Sequence, residues 1–139
     1  MDLDDFYLHV GKLICDFQII ESDIKYIYAG MLEGNFDKNL IKVSEWTLGQ
    51  SISALESLDH SDNNYFLEAE DYKLLKEIND IRIHYAHKCY TKFAYLSNDI
   101  EYCMALEKAY NRAKNDFNRI SKLKKKIEKR RINFFKESA

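Results

Sequence analysis

The sequence contains no proline and only four glycines among its 139 residues. Folds rich in strands need many turns, and turns draw heavily on glycine and proline. The shortage of both therefore argues against a β-rich fold and favours a few long helices joined by short connections. No run of 18 apolar residues is present, and the opening residues, MDLDDF, are acidic rather than basic. We therefore expect neither a membrane span nor a signal peptide, and a single helical domain over residues 1–139.

Sequence motifs for cofactors and metals are missing as well. There is no P-loop, no glycine-rich dinucleotide loop, no GxSxG and no Glu-x-x-His, which argues against nucleotide-dependent enzymes, α/β-hydrolases and di-iron bundles. The three cysteines, Cys15, Cys89 and Cys103, are odd in number and widely spaced. They are predicted to be free thiols packed within helices, as expected in a reducing cytoplasm. We expect no metal and no cofactor.

The net charge of −2 hides an asymmetry along the chain. Residues 1–111 hold 10 Lys and Arg against 20 Asp and Glu, a net charge of −10, whereas residues 112–139 hold 11 against 3, a net charge of +8. A segment as basic as RISKLKKKIEKRR is typical of a surface that binds a polyanion such as RNA. The alternative is a solvated helix end, because lysines favour the negative end of the helix dipole. The RNA-binding side chains predicted in this basic segment, about residues 112–136, are Lys124, Lys125, Lys126, Arg130 and Arg131.

Apolar residues recur at steps of three and four and predict four helices. The first ends near Gly30 and Gly34, and a polar turn cluster, DHSDNN (59–64), separates the second from the third. In the SND tripeptide that precedes the fourth helix, Asn98 has capping-box spacing with Glu101. The predicted fold is an all-α, up-and-down four-helix bundle with a basic C-terminal helix extension. The expected helices cover about residues 6–31, 40–58, 68–95 and a fourth stretch that starts after residue 97.

The segment INDIRIHYAHKCY (78–90) places an arginine and two histidines in the third helix. At about 100° per residue, and with Leu74 set at zero, Arg82 lies at about 80°, inside the apolar face. His87, Asp80 and His84 form a polar stripe between about 220° and 280°. An arginine among apolar side chains must pair with an acid or open onto a cleft, because an unpaired buried guanidinium is too costly.

Structural interpretations of these residues remain open at this point. Arg82 could pair inside the bundle with Glu21 or Asp16 of the first helix, and the histidines could be surface residues helped by the nearby Asp80. On one straight helix, Arg82 and His87 diverge by about 140°. A site that uses both therefore needs a distorted helix or two copies of the chain that face each other.

The stretch Arg82-Ile-His-Tyr-Ala-His87 resembles the R-x4-H motif of the HEPN superfamily of small all-α proteins. The preceding LLKEINDIR, the small residue before His87 and a mid-helix acidic residue in FQIIESDI also look like that family. The resemblance covers roughly residues 5–120. The family usually has a polar residue, commonly Asn, directly after the arginine, and here that position is Ile83.

The resemblance implies a homodimer in which Arg82 and His87 line a cleft between the subunits. It further implies metal-independent RNA cleavage, in which the RNA 2′-hydroxyl attacks the adjacent phosphate. A histidine can accept or donate a proton near neutral pH, and an arginine can bind the phosphate and stabilise its transition-state charge. Asp80 would orient His87, and His84 would be the second acid–base group or bind phosphate.

The same resemblance suggests further binding residues and partners. Lys88 and Tyr90 would contact RNA, with Tyr90 stacking on an unpaired base. A ribonuclease of this kind would be a toxin, a phage-defence protein or a stress protein, with an antitoxin or another protein as its partner. The alternative is a non-catalytic HEPN-like dimer that binds RNA or a protein, and Ile83 is the residue that favours it.

Overall fold

A computed structural model of the protein describes residues 2–61 and 65–138. These residues form six helices and no strand, so the predicted all-α class is confirmed. No helix in the described part of the chain is both long enough and apolar enough to cross a membrane. The helices are α1 (Leu3–Met31), α2 (Phe36–Ser44), α3 (Leu48–Asp59), α4 (Ala69–His87), α5 (Thr91–Ala94) and α6 (Asp99–Ser138).

Helix α1 carries the first of the predicted apolar repeats, which forms a continuous apolar seam along the helix. It begins with a capping box, in which the side chains of Asp2 and Asp5 each accept a hydrogen bond from the other's backbone N–H at 3.0 Å. The chain turns after α1 at Gly34, whose φ of +107° lies in the region that favours glycine. The end of the first helix is therefore where the glycines predicted it. The seam residues that are fully buried are Phe6, Leu13, Phe17, Ile20, Ile24 and Ile27.

The second predicted helix is in fact two helices, α2 and α3, separated at residues 45–47. The Thr47 hydroxyl accepts a hydrogen bond from the Gln50 N–H at 3.2 Å, and the Gln50 side chain accepts one from the Thr47 N–H at 2.9 Å. This capping box starts a new helix at Leu48, with Gly49 as its second residue. The prediction of one continuous helix over 40–58 is therefore wrong. Ile41, which lies in α2, is 71% exposed.

A buried aspartate connects α3 to α4 across the polar cluster DHSDNN, whose last three residues lie outside the described chain. Asp59 accepts hydrogen bonds from the backbone N–H groups of Phe66 and Leu67, at 2.6 and 3.1 Å. It also accepts one from the Tyr72 hydroxyl at 2.6 Å. These three bonds hold the first turns of α4 against the end of α3.

The third predicted helix is interrupted shortly after its histidines. Helix α4 ends at His87, where the backbone N–H groups of Lys88 and Cys89 both donate to the His84 carbonyl, at 2.9 and 2.8 Å. The first of these is the ordinary bond between residues four apart, the second joins residues five apart, and the helix ends there. The expected continuation to Tyr95 is therefore replaced by a short turn and the four-residue helix α5.

Helix α6 contains the whole basic segment and packs beside α1. Lys124 Nζ lies 3.1 Å from Asp16 Oδ1, and Arg131 Nε lies 2.9 Å from Asp23 Oδ1. The two pairs are separated by seven residues on each helix, so α1 and α6 run in the same direction. The basic segment is thus part of the helical packing rather than an extension beyond it.

The helix count and direction differ from the expected four-helix arrangement. The described residues form six helices, and the first and last of them are parallel, whereas an up-and-down four-helix bundle has them antiparallel. The predicted start of the last helix is confirmed, because the Glu101 N–H donates to Asn98 Oδ1 at 3.0 Å.

All three cysteines are free thiols, as predicted. Only Cys89 is buried, however, whereas Cys15 and Cys103 are exposed. The expectation that all three pack inside the bundle is wrong for these two, because each lies on the outer face of its long helix.

Candidate functional site

In the last turns of α4, the two histidines and the arginine lie on either side of the face that is buried in the core. Tyr85 and the apolar residues before it point into the core, whereas Asp80 and His87 are exposed. Arg82 and His84 are half-buried, and on a regular helix they point about 160° apart. Helix α4 is regular through His87. One chain therefore does not bring Arg82 and His87 into one site, and a shared site requires a second copy.

Arg82 lies on the flank of α4 that faces α3. Its Nη2 donates to Asn79 Oδ1 at 3.4 Å, and the Asn79 amide lies beside Gly49 of α3. No carboxylate of residues 2–61 or 65–138 forms an ion pair with Arg82. At 3.4 Å the bond to Asn79 is at the weak end for an N–H···O contact. The Arg82 guanidinium is therefore only loosely held.

The partners expected for Arg82 inside the bundle are engaged elsewhere. Asp16 pairs with Lys124 at 3.1 Å, and Glu21 pairs with Lys25 of its own helix at 3.3 Å. The interpretation of Arg82 as one half of an ion pair with α1 is therefore wrong. This leaves the second option, a guanidinium that opens onto a surface or cleft.

The polar stripe of α4 does not form a hydrogen-bonded set within one chain. Asp80 and His87 are both exposed, and no hydrogen bond among the described residues joins Asp80 to either histidine. The charge of Asp80 is also not among the causes that shift the pKa of His84. The orienting role predicted for Asp80 has no support in the single chain.

His84 faces a pocket on the opposite flank of α4, between α4, α5 and α6. The pocket has a volume of about 330 Å³. Helix α6 contributes two alanines and two cations to it at alternating steps of three and one, so that all four lie on one face of that helix. The lining residues are His84, Cys89, Lys92, Phe93, Ala105, Lys108, Ala109 and Arg112.

The electrostatics of this pocket act on His84. Burial lowers the pKa of His84 below its ordinary value of 6.5, and the positive charges of Arg112 and Lys92 lower it further. The Asp116 carboxylate opposes them. His84 is therefore neutral at pH 7 and can accept a proton.

The Asp116 carboxylate is held in place by two neighbours. It accepts a hydrogen bond of 2.5 Å from the Tyr85 hydroxyl and lies 3.7 Å from Arg112 Nε. Burial, followed by this hydrogen bond, raises the pKa of Tyr85 far above its ordinary range. Tyr85 is thus a protonated core residue that fixes Asp116 beside the pocket.

The RNA-binding residues predicted on α6 divide into two groups. Lys124 and Arg131 pair with acids of α1, and Lys126 lies 2.7 Å from Asp71 and 3.7 Å from Glu68. The sequence could not reveal these partners, because they are more than 50 residues away. The other predicted binding residues, Lys125, Arg130, Lys88 and Tyr90, are exposed.

Lys92, Lys108 and Arg112 were missed by reasoning from the sequence. The only signal for the last two was their i, i+4 spacing, interleaved with Ala105 and Ala109 on an otherwise polar helix face. That spacing indicates a site only when the fold brings Lys92 and His84 to the same pocket.

Comparisons with protein-family models, with curated protein sequences and with solved structures found no match to this chain. In the described part of the chain, no three His, Cys, Asp or Glu side chains are grouped so that they could hold a metal ion.

Proposed function

We propose that the protein is a HEPN-like, metal-independent endoribonuclease that works as a cytoplasmic homodimer. The observation that supports this proposal best is the state of Arg82. The residue is half-buried, and its guanidinium has one long hydrogen bond to Asn79 and no ion-pair partner among the described residues. A cation held this loosely is free to pair with the negative charge of another molecule. In this proposal that charge is an RNA phosphate.

A two-fold dimer through α4 would complete the site. Between Arg82 and His87, the outward face of α4 carries Ile83, which is 38% exposed, and the exposed Ala86. We place the two-fold axis between residues 84 and 85, with the two α4 helices antiparallel. Arg82 of one copy then faces His87 of the partner subunit, and Ile83 faces Ala86 of the partner subunit. A large apolar side chain opposite a small one is a favourable contact at such a helix crossing.

The chemistry expected of this pair is acid–base transfer beside a bound phosphate. Arg82 binds the phosphate and stabilises the negative charge that builds up on it. His87 transfers a proton to or from the reacting oxygens. His84, three residues earlier and kept neutral by its lowered pKa, is the second acid–base group. The RNA 2′-hydroxyl is the nucleophile, so no metal-bound water is needed.

The test is cleavage of RNA by purified protein in the presence of a metal chelator. We expect the wild type to cleave and both Arg82→Ala and His87→Ala to lose cleavage by 100-fold or more, about the range for one acid–base or phosphate-binding group. Lys73→Ala is the matched control, because Lys73 is an exposed cation of the same helix. Cleavage that survives in either of the first two variants, or that is lost equally in Lys73→Ala, would contradict the proposal.

A second candidate function is a non-catalytic dimer of the same geometry that binds RNA or a protein partner. Ile83 favours it, since the residue after the arginine is apolar and cannot position a substrate by hydrogen bonding. Exposed Lys125 and Arg130 would then supply the electrostatic affinity for RNA. Salt-dependent RNA binding without cleavage by any folded variant would favour this function over the ribonuclease.

A further inference from the structure

The pocket between α4, α5 and α6 is built from short and positively charged side chains. Ala105 and Ala109 of α6 leave the space, and Lys108 and Arg112 stand beside them on the same helix face. Lys92 of α5 approaches from the other side. Three permanently cationic side chains therefore line one small concave surface.

The positive charge of this pocket is only partly neutralised by the described part of the chain. Lys92 and Lys108 form no ion pair with any carboxylate of the described residues. Asp116, the nearest acid, already accepts the Tyr85 hydroxyl and pairs with Arg112 at 3.7 Å. The net charge around the pocket is about +2 with His84 neutral, which suits a dianion.

The remainder of the pocket lining is apolar and well fixed. Cys89 and Phe93 are buried, and the Phe93 ring makes edge contacts with Phe6 and Tyr102, each at a centroid distance of 5.5 Å. A volume of about 330 Å³ is at the small end of ligand pockets, the size for one nucleotide unit rather than a long chain. The apolar part of the pocket can therefore receive a sugar or base while the three cations hold a phosphate.

We infer that this pocket binds a nucleoside phosphate monoester, with Lys92, Lys108 and Arg112 on the phosphate. The inference goes beyond the proposed ribonuclease, because the pocket lies on the flank of α4 opposite to Arg82 and needs no cleavage and no second subunit. The phosphate monoester has two sources, a free nucleotide or the phosphorylated end of an RNA chain. Both present the same dianion to the same three cations.

Binding of a dianion also changes the charge balance at His84, which lines the pocket. A phosphate beside the imidazole opposes the effect of the cations and favours the protonated ring. His84 is therefore a built-in reporter of occupancy. The charged groups that face it are Arg112, Lys92, Lys88 and Asp116, and Lys108 shares the pocket.

The experiment is calorimetric titration of the full chain with AMP, adenosine and inorganic phosphate. We expect saturable AMP binding, no detectable adenosine binding, and at least tenfold weaker AMP binding by Lys108→Gln and by Arg112→Gln. Lys114→Gln is the matched control, because Lys114 is an exposed lysine of α6 outside the pocket, and it should bind like the wild type. The NMR signal of His84, assigned by its loss in His84→Gln, should titrate at higher pH with AMP present.

Three results would overturn the inference: no saturable AMP binding, equal affinity for AMP and adenosine, or unchanged AMP binding by both pocket variants with circular dichroism showing intact folds. Competition then identifies the source of the phosphate. An RNA oligonucleotide with a 5′-phosphate that displaces AMP, when the same oligonucleotide with a 5′-hydroxyl does not, assigns the pocket to an RNA end. If AMP binds and neither oligonucleotide displaces it, the pocket is assigned to a free nucleotide. Loss of cleavage in Arg82→Ala has no bearing on any of these outcomes.

Discussion

Two glycines of α1 offer the same substitution in opposite surroundings. An alanine methyl at Gly11 would meet no atom within 4 Å. At Gly30 it would lie 2.8 Å from a ring carbon of Phe134 and 3.0 Å from two ring carbons of Phe135. We predict that Gly11→Ala stabilises the protein and that Gly30→Ala destabilises it.

The magnitudes follow from backbone entropy and from packing. In mid-helix, replacing glycine with alanine stabilises by about 0.5–1 kcal/mol, and nothing at Gly11 opposes that gain. At Gly30 two rings must move, and overpacking costs about 1–3 kcal/mol. Those rings are not free to swing aside, because the Phe134 ring also contacts Phe66 and the Phe135 ring contacts Phe36. The two variants should differ by about 2 kcal/mol.

Urea unfolding followed by far-UV circular dichroism measures both free energies on one scale. A difference of about 2 kcal/mol corresponds to about 6 °C in Tm for a chain of this size. A Gly30→Ala variant as stable as Gly11→Ala would refute the close packing of the end of α6 on α1. A destabilised Gly11→Ala would show instead that this exposed face of α1 is covered, as in an assembly.

Three further predictions concern the connection between α3 and α4, the pocket near His84 and the basic part of α6. Tyr72→Phe removes the hydroxyl that donates to Asp59 at 2.6 Å and should cost about 1.5–3 kcal/mol in the free energy of unfolding, measured in urea. Because the pKa of His84 is lowered in the folded chain, its contribution to stability is present above pH 6.5 and is lost as the pH falls through the lowered pKa. The His84→Gln variant should therefore lose less stability than the wild type between pH 7.5 and pH 5. Replacing Lys125 and Arg130 together by glutamine should reduce the slope of log K for RNA against log salt by about 1.4, at about 0.7 per released contact with a single strand.

Each of these has a matched control. Tyr65→Phe alters a tyrosine that is 59% exposed and should leave stability unchanged, whereas an equal loss would show that the hydrogen bond of Tyr72 is not the cause. Identical pH profiles for the wild type and His84→Gln would contradict the environment described for that imidazole. An unchanged salt slope in the α6 double variant would remove those two cations from the RNA surface.

The sequence predicts features of this fold that depend on local periodicity, and it fails where distant residues decide. The α1 seam and the Asn98 cap are readable because each is contained within one turn or one helix face. The break at residues 45–47 was missed because the capping box of Thr47 and Gln50 was not recognised in the sequence. Pairing of Arg82 with Asp16 or Glu21 was one of two open interpretations, and only the fold shows that these acids already pair with Lys124 and Lys25.

The charge asymmetry of the chain acquires a different meaning in three dimensions. The acidic and basic parts meet along α1 and α6, where Asp16 and Asp23 take two of the cations that had suggested a polyanion surface. Removing residues after Arg119 would delete about half of α6 together with its ion pairs to α1, so a loss of RNA binding on truncation would not separate lost cations from a lost fold. Point substitution can, because Lys125 and Arg130 remain exposed.

Among the described residues, cations without an ion pair stand on both flanks of α4 as well as along α6. On one flank stands Arg82, without an ion-pair partner among the described residues, and on the other stand Lys92 and Lys108 beside His84. The two flanks are about half a helical turn apart, so neither Arg82→Ala nor Lys108→Gln can affect both by direct contact. If Arg82→Ala abolishes RNA cleavage while AMP binding persists, and Lys108→Gln weakens AMP binding while cleavage persists, α4 supports two separate anion sites. If either substitution removes both activities with the fold intact, RNA passes across both flanks in one continuous path.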